Sequence, residues 1–255
     1  ALFIRSKLVE SPEFERAKAA GIIEAAPFAS LFRPPTRRVF LQVFFFVTGL
    51  FLTDYAIYQF MPKILNGPGK FDLRDYTFIY GIALLGAFVG YNLYGWLSDR
   101  LGRRKLTMCY SIFCIVMGIP LYQILINAAY HKNFMLAVCA AMLAALLKIQ
   151  MGVLPAYLSE RFPTRSRSVG VGFGYSAGAL VGGAGITPLV ALFHVIPWIA
   201  QIEGEQELWL SASVVLTIGA VVSFVNLYFS PETKDVELSE VGCEVPAADT
   251  VVSKA

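Results

Sequence analysis

Asp54 and Lys148 are the residues of this sequence best placed to do chemistry, because each lies alone in a long apolar run: "FFFVTGLFLTDYAIYQFM" (44–61) and "AVCAAMLAALLKIQMGVLPAYL" (137–158). A charge near the centre of a hydrocarbon-embedded helix costs about 2.5 to 3.5 kcal/mol, so a role is the default reading. A carboxylic acid at such a place can take up and release a proton, and an ammonium can hold the carboxylate or a hydroxyl of a solute. Tyr55, Tyr58 and Gln59 add hydrogen-bonding groups at the depth of Asp54. Read as one continuous helix, the second run places Ala144, Ala145, Met151 and Gly152 beside Lys148, a small face with room for a ligand or a close neighbour. The alternative is a purely structural ion pair between Asp54 and Lys148.

A second cluster lies between apolar runs, in "GWLSDRLGRRK" (95–105) and "SERFPTRSRS" (159–168). Asp99 falls at the C-terminal end of a helix, where the macrodipole opposes a negative charge by about 0.3 to 1 kcal/mol. The expected compensation is the N-terminus of another helix or an arginine of the second segment, which offers Arg161, Arg165 and Arg167. Glu160 has Arg103 or Arg104 as its expected partner, and the network would join the two three-helix halves of the chain. Gly95 and Gly102 allow the short connection to turn and the helices to approach. The competing reading is that these cations only follow the rule that basic loops stay in the cytoplasm.

Other chemistries find little support. Cys109, Cys114 and Cys139 lie in apolar runs and Cys243 near the end, with neither disulfide nor zinc spacing. They read as packing residues, and no metal site or cofactor is expected. "GVGFGYSAGALVGG" is glycine-rich, but no strand precedes it, so close helix contact through Gly174, Gly178 and Gly182 explains it better than nucleotide binding. His131 and His194 fall at run ends and read as bystanders. Gln42, Gln123, Gln150 and Asn226 either face a cavity or hold helices together; Gln59 and Asn92 are the amides expected at a solute. No nucleophile with a base, and no ligand cluster, points to an enzyme.

The elements that must position these residues follow from hydropathy. Hydrophobic residues make up 56% of the 255 and charged ones 15%, and the mean hydropathy is +0.61. Such a chain belongs in a bilayer, and its net charge of +3 gives no reason to expect a nucleic-acid partner. About twenty apolar residues span the hydrocarbon core. Six stretches qualify: Val39 to Met61, Tyr76 to Leu97, Leu106 to Ile126, Phe134 to Leu158, Val169 to Phe193 and Trp209 to Phe229. None shows the alternation of a barrel strand. Sixteen of the 21 Lys and Arg fall on one set of alternating connections, four on the other, and Lys148 inside a span. That asymmetry predicts an even number of spans with both ends cytoplasmic. Residues 1–38 read as a cytoplasmic linker with short amphipathic helices, 39–229 as the transmembrane bundle, and 230–255 as a polar cytoplasmic tail. The chain opens on Ala1 with no secretory signal pattern, and "ALFI" at its head reads as the end of an earlier span.

The loop "GWLSDRLGRRK" resembles the signature of the major facilitator superfamily, small-x-x-x-Asp-Arg-x-Gly-Arg-Arg, through Gly95, Asp99, Arg100, Gly102, Arg103 and Arg104. "ESPEF" (10–14) is similar to the segment after the sixth helix of those proteins, and "SPETKD" (230–235) to their ending. "PAYLSERFPTRSRSVGVGFGYSAG" is similar to the same region of sugar porters and of proton symporters for carboxylates and other metabolites. The resemblance implies an all-α membrane protein: six helices as two inverted three-helix repeats, half of a twelve-helix fold whose N-terminal half is missing here. It also implies that Asp99, Arg103, Arg104, Glu160 and Arg161, with Arg100 and Arg165, form a cytoplasmic latch made and broken during alternating access. Asp54 and Lys148 then fall on the first helix of each repeat, which lines the central cavity. The expected function is proton-coupled symport of a small organic solute, an organic acid favoured, with Lys148 binding the solute and Asp54 the proton. A sugar porter is the alternative within transport, and a non-transporting sensor or scaffold the alternative outside it.

Overall fold

Inside hydrocarbon a backbone has no water to bond, so each apolar run must close its own hydrogen bonds as a helix. The computed structural model describes residues 27–34, 36–66, 71–163, 166–203 and 208–234. Among them all regular structure is helical: α1 (Pro27–Ser30), α2 (Thr36–Leu65), α3 (Leu73–Leu101), α4 (Arg103–Tyr130), α5 (Phe134–Leu146), α6 (Leu154–Arg161), α7 (Arg167–His194), α8 (Pro197–Glu203) and α9 (Trp209–Tyr228), with a 3-10 turn at Ile149–Gly152. Six spans are long and apolar enough to cross a membrane: α2, α3, α4, the α5–turn–α6 unit, α7 and α9. Where α3, α4 and α7 outrun the expected stretches, they take in polar residues at the ends, such as Ser98, Asp99 and Arg100 on α3. The expected linker and tail lie mostly outside the described residues, and so does "ESPEF".

α2 is the hub and the most deeply buried span. One face packs on α7, where Gly174, Gly178 and Gly182 meet Val43, Val47 and the Thr48 carbonyl in turn. The other packs on α9, where a Cβ on Gly49 would fall 2.6 Å from the Gly219 oxygen, and one on Gly219 equally close to the Gly49 oxygen. Small residues therefore let the backbones approach, and the contact is made by dispersion rather than by hydrophobic expulsion, which lipid does not supply. α3 and α7 leave most of their apolar surface outward.

The fourth span is not the continuous helix expected. α5 ends at Leu146, Lys148 falls between it and the 3-10 turn, and α6 restarts at Leu154. Pro155, in the first turn of α6, has no N–H for the Met151 carbonyl and its ring would collide with that carbonyl in an unbroken helix. Gly152 is pressed against the Tyr91 backbone of α3, so the break is also a contact.

Candidate functional site

The break decides where Lys148 points. Its ammonium lies 3.4 Å from Asp54 Oδ1 and 3.6 Å from the centre of the Tyr58 ring, a charge pair leaning on an aromatic face. At 3.4 Å the pair is looser than a charge-assisted hydrogen bond. Both side chains are largely buried, at 10% exposure for Asp54 and 18% for Lys148. They stand on the wall of an open cavity of about 800 Å³, bounded by α2, α3, α7 and the broken span. Tyr58 and Gln59 line it too. The Tyr58 hydroxyl is buried and has no hydrogen-bond partner among the described residues, whereas the Gln59 amide donates to Thr187 Oγ1 at 3.0 Å.

Asn92 is not brought to this wall. Tyr80, Leu84 and Tyr91 are the α3 residues that line the cavity, and Asn92, one position past Tyr91 and about 100° around the helix, is exposed and donates to the Phe88 carbonyl at 2.8 Å. Tyr55 lines the cavity as the sequence suggested, whereas Phe51, Tyr80, Tyr91, Tyr175 and Thr187 are lining residues that sequence reasoning missed. Of these, Phe51 alone carried a signal, its helical spacing from Tyr55, Tyr58 and Gln59 on α2.

The charged loops gather at one end of the bundle. A single nitrogen, Arg103 Nη2, lies 3.2 Å from Asp99 Oδ1 and 2.9 Å from Glu160 Oε1, so one guanidinium ties the α3–α4 junction to α6. Asp99 is thus compensated by Arg103, four residues on in its own loop. Arg161 instead turns inward, 6% exposed, and bonds Gln42 of α2, whose own amide donates to the Phe229 carbonyl. Arg167 donates to the Phe162 carbonyl at 3.2 Å, and Arg165 lies outside the described residues. Arg100 lies over the Trp96 ring, 3.9 Å from its centre. Gly95 comes near the Gly152 carbonyl, at ordinary van der Waals range for an added Cβ.

Arg104 does not reach Glu160. Its guanidinium caps the open end of α9, donating to the Leu227 and Tyr228 carbonyls at 2.9 and 2.8 Å. A residue that sequence reasoning gave no role, Glu232, completes the clasp: its carboxylate accepts from the backbone N–H groups of Arg104 and Lys105 at 3.1 and 3.4 Å, at the N-terminus of α4. Partial burial works against the charge of Glu232, but those amides, with the N–H groups of Thr233 and Lys234, outweigh it and hold the carboxyl below its ordinary value. Lys234 Nζ donates to the Arg100 carbonyl at 2.9 Å. Gly102, the one residue between α3 and α4, has φ +97°, and a Cβ there would fall 2.9 Å from Glu232 Oε2.

The geometry is that of a helical bundle with a polar cavity on one wall and a charged clasp at one end, and comparison with known proteins agrees. The pattern of the Major Facilitator Superfamily matches residues 39–242. The chain is 29% identical to the alpha-ketoglutarate permease of Escherichia coli over 72% of this chain and 41% of that protein. It is 28% identical to a probable 4-methylmuconolactone transporter of Cupriavidus pinatubonensis, over 94% and 52%, and 27% identical to the proline/betaine transporter of Escherichia coli, over 91% and 45%. It spans about half the length of these curated relatives. A crystal structure of double-tryptophan mutants of XylE has the same fold over 77% of this chain and 46% of its own, with a TM-score of 0.56 and 17% identity. With six apolar spans and a matching pattern over most of its length, this multi-pass membrane chain belongs to the Major Facilitator Superfamily.

Proposed function

We propose that the chain forms one wall of a proton-coupled symporter for small organic acids that works by alternating access. The observation that carries this reading is the Asp54–Lys148 pair on the cavity wall. Protonation of Asp54 removes the partner of Lys148 and frees its ammonium for the carboxylate of a solute; loss of the proton restores the pair and expels the solute. Ketoglutarate, proline and betaine, named for the relatives, each carry a carboxylate. Solute and proton share the site with Tyr58 and Gln59, and a second six-helix half of a longer protein closes the open side.

In the same reading the bundle spans the cell membrane with the signature loop in the cytoplasm, residues 1–38 a linker and 230–255 a tail on the same side. The Arg103 bridge, with Asp99, Glu160 and the Arg104–Glu232 clasp, holds that end shut and parts when it opens. A sugar-porter reading draws less support, since Gln59 is the one amide among the described lining residues and one of its N–H groups is already given to Thr187.

The test is uptake of radiolabelled pyruvate, 2-oxoglutarate and 4-hydroxybenzoate by the full-length protein in liposomes with an alkaline interior. Accumulation that collapses with a protonophore is the expected result. Uptake that only equilibrates, whatever the gradient, would refute proton coupling.

A further inference from the structure

α2 presents two rows to the cavity. Asp54 and Tyr58 face Lys148 and α3, where the Tyr58 and Tyr80 rings meet at 5.8 Å. Phe51, Tyr55 and Gln59, one turn apart, face α7: Phe51 meets Tyr175 edge to face at 5.5 Å, Tyr55 lies against Gly183, and Gln59 is held by Thr187. Charge is therefore confined to the α3 side of the cavity, where it is shared with the Tyr58 and Tyr80 rings, whereas the α7 side is aromatic and uncharged.

The aromatic side is built and open. Phe51 is buried behind the pair at 8% exposure, whereas Tyr55 and Tyr175 each leave 41% of their surface free. The Tyr55 ring lies over Gly183, where an added Cβ would sit 3.5 Å away, at ordinary van der Waals range. Resting on the reading that Lys148 takes the carboxylate, we propose that Tyr55 and Tyr175, backed by Phe51, form a second subsite for the carbon body of the acid. The substrate is then a carboxylate with a flat, unsaturated or aromatic skeleton.

Two other chemistries that use aromatic surface fit this wall less well. A polyol needs a hydrogen-bond partner for each hydroxyl, and besides the tyrosine hydroxyls the described lining on the side of Tyr55 and Tyr175 offers only Gln59 and Thr187, which already bond each other. A quaternary ammonium needs several open ring faces around one point, but Phe51, at 33° to Tyr55 and 78° to Tyr175, is buried and leaves only two rings open. Lys148 also places a cation in the same cavity, already on the face of Tyr58. A flat ring, by contrast, stacks on Tyr55 or meets Tyr175 edge to face while its carboxylate reaches the ammonium.

The experiment is competition in the full-length protein in liposomes, with radiolabelled 4-hydroxybenzoate and pyruvate as carried acids and xylose and glycine betaine as competitors. The expected result is preference for 4-hydroxybenzoate over pyruvate and no competition from xylose or betaine. Tyr175→Leu and Tyr55→Leu should each cut that preference by about tenfold, and Tyr175→Phe and Tyr55→Phe should retain it. Wild-type selectivity decides the matter even if the leucine variants do not fold. Pyruvate carried against its gradient with no preference for 4-hydroxybenzoate would overturn the subsite and leave the symport reading standing. Strong competition by betaine would overturn it in favour of an onium cage; failure to carry 4-hydroxybenzoate would overturn the subsite, and the symport reading falls with it only if pyruvate and 2-oxoglutarate also fail to accumulate.

Discussion

Taking away one member of a buried ion pair leaves the other charge without a partner, and that loss usually exceeds what the pair itself contributes. Lys148→Gln and Asp54→Asn should therefore each destabilise the protein more than the double variant does, read as melting temperatures in one detergent. A double variant as damaged as the sum of the singles would show that the two charges do not interact. Glu232 offers a separate test. Because its carboxyl is held below the ordinary glutamate value near about 4.3, the clasp is fully formed above that value and weakens only as pH falls through the lower, folded one. The stability difference between wild type and Glu232→Gln should be present near neutral pH and vanish only once pH has fallen below the lowered, folded value. A difference that persists in acid would mean that Glu232 acts through packing. At this scale the sequence showed the two charges plainly, since any ionisable residue stands out in an apolar run. It did not show Tyr80, Tyr91 or Tyr175, because tyrosine is ordinary at membrane interfaces and nothing in its spacing separates lipid-facing from cavity-facing positions.

Six apolar runs of sufficient length left no alternative to six helices, and the starts and stops differed by a few residues where polar ends joined the helices. The break after Leu146 was not legible, although Pro155 marked it. Apolarity continues through "LLKIQMGVLP", and a proline in a membrane helix is often tolerated. What turns it into a break here is tertiary: Gly152 seats on the Tyr91 backbone and Lys148 leaves the helix to meet Asp54. Gly152→Val should force α3 and the broken span apart and lower stability by about 1 to 3 kcal/mol. Unchanged melting would mean that the seat is loose. Gly102→Ala should cost a similar amount, about 1 to 3 kcal/mol, since φ +97° suits glycine alone and the new methyl meets Glu232. Adding Glu232→Ala should relieve part of that loss, and no relief would show that backbone strain is the whole effect.

For the whole molecule, the uneven division of Lys and Arg between the two sets of connections sets an orientation that can be measured. A cysteine placed at Lys132, in the α4–α5 connection, should react with a membrane-impermeant maleimide in intact cells, and one at Arg100 only after permeabilisation. The reverse pattern would invert the topology and put the clasp outside. The central claim is that Asp54 carries the proton that frees Lys148. The most direct measurement compares wild type and Asp54→Asn in the same liposomes, with whichever carboxylate the wild type accumulates best, once under an inward proton gradient and once as exchange at equal pH. Asparagine keeps the size of the side chain but carries no proton, so uphill accumulation should disappear while exchange continues. Accumulation by Asp54→Asn equal to that of wild type would contradict the account.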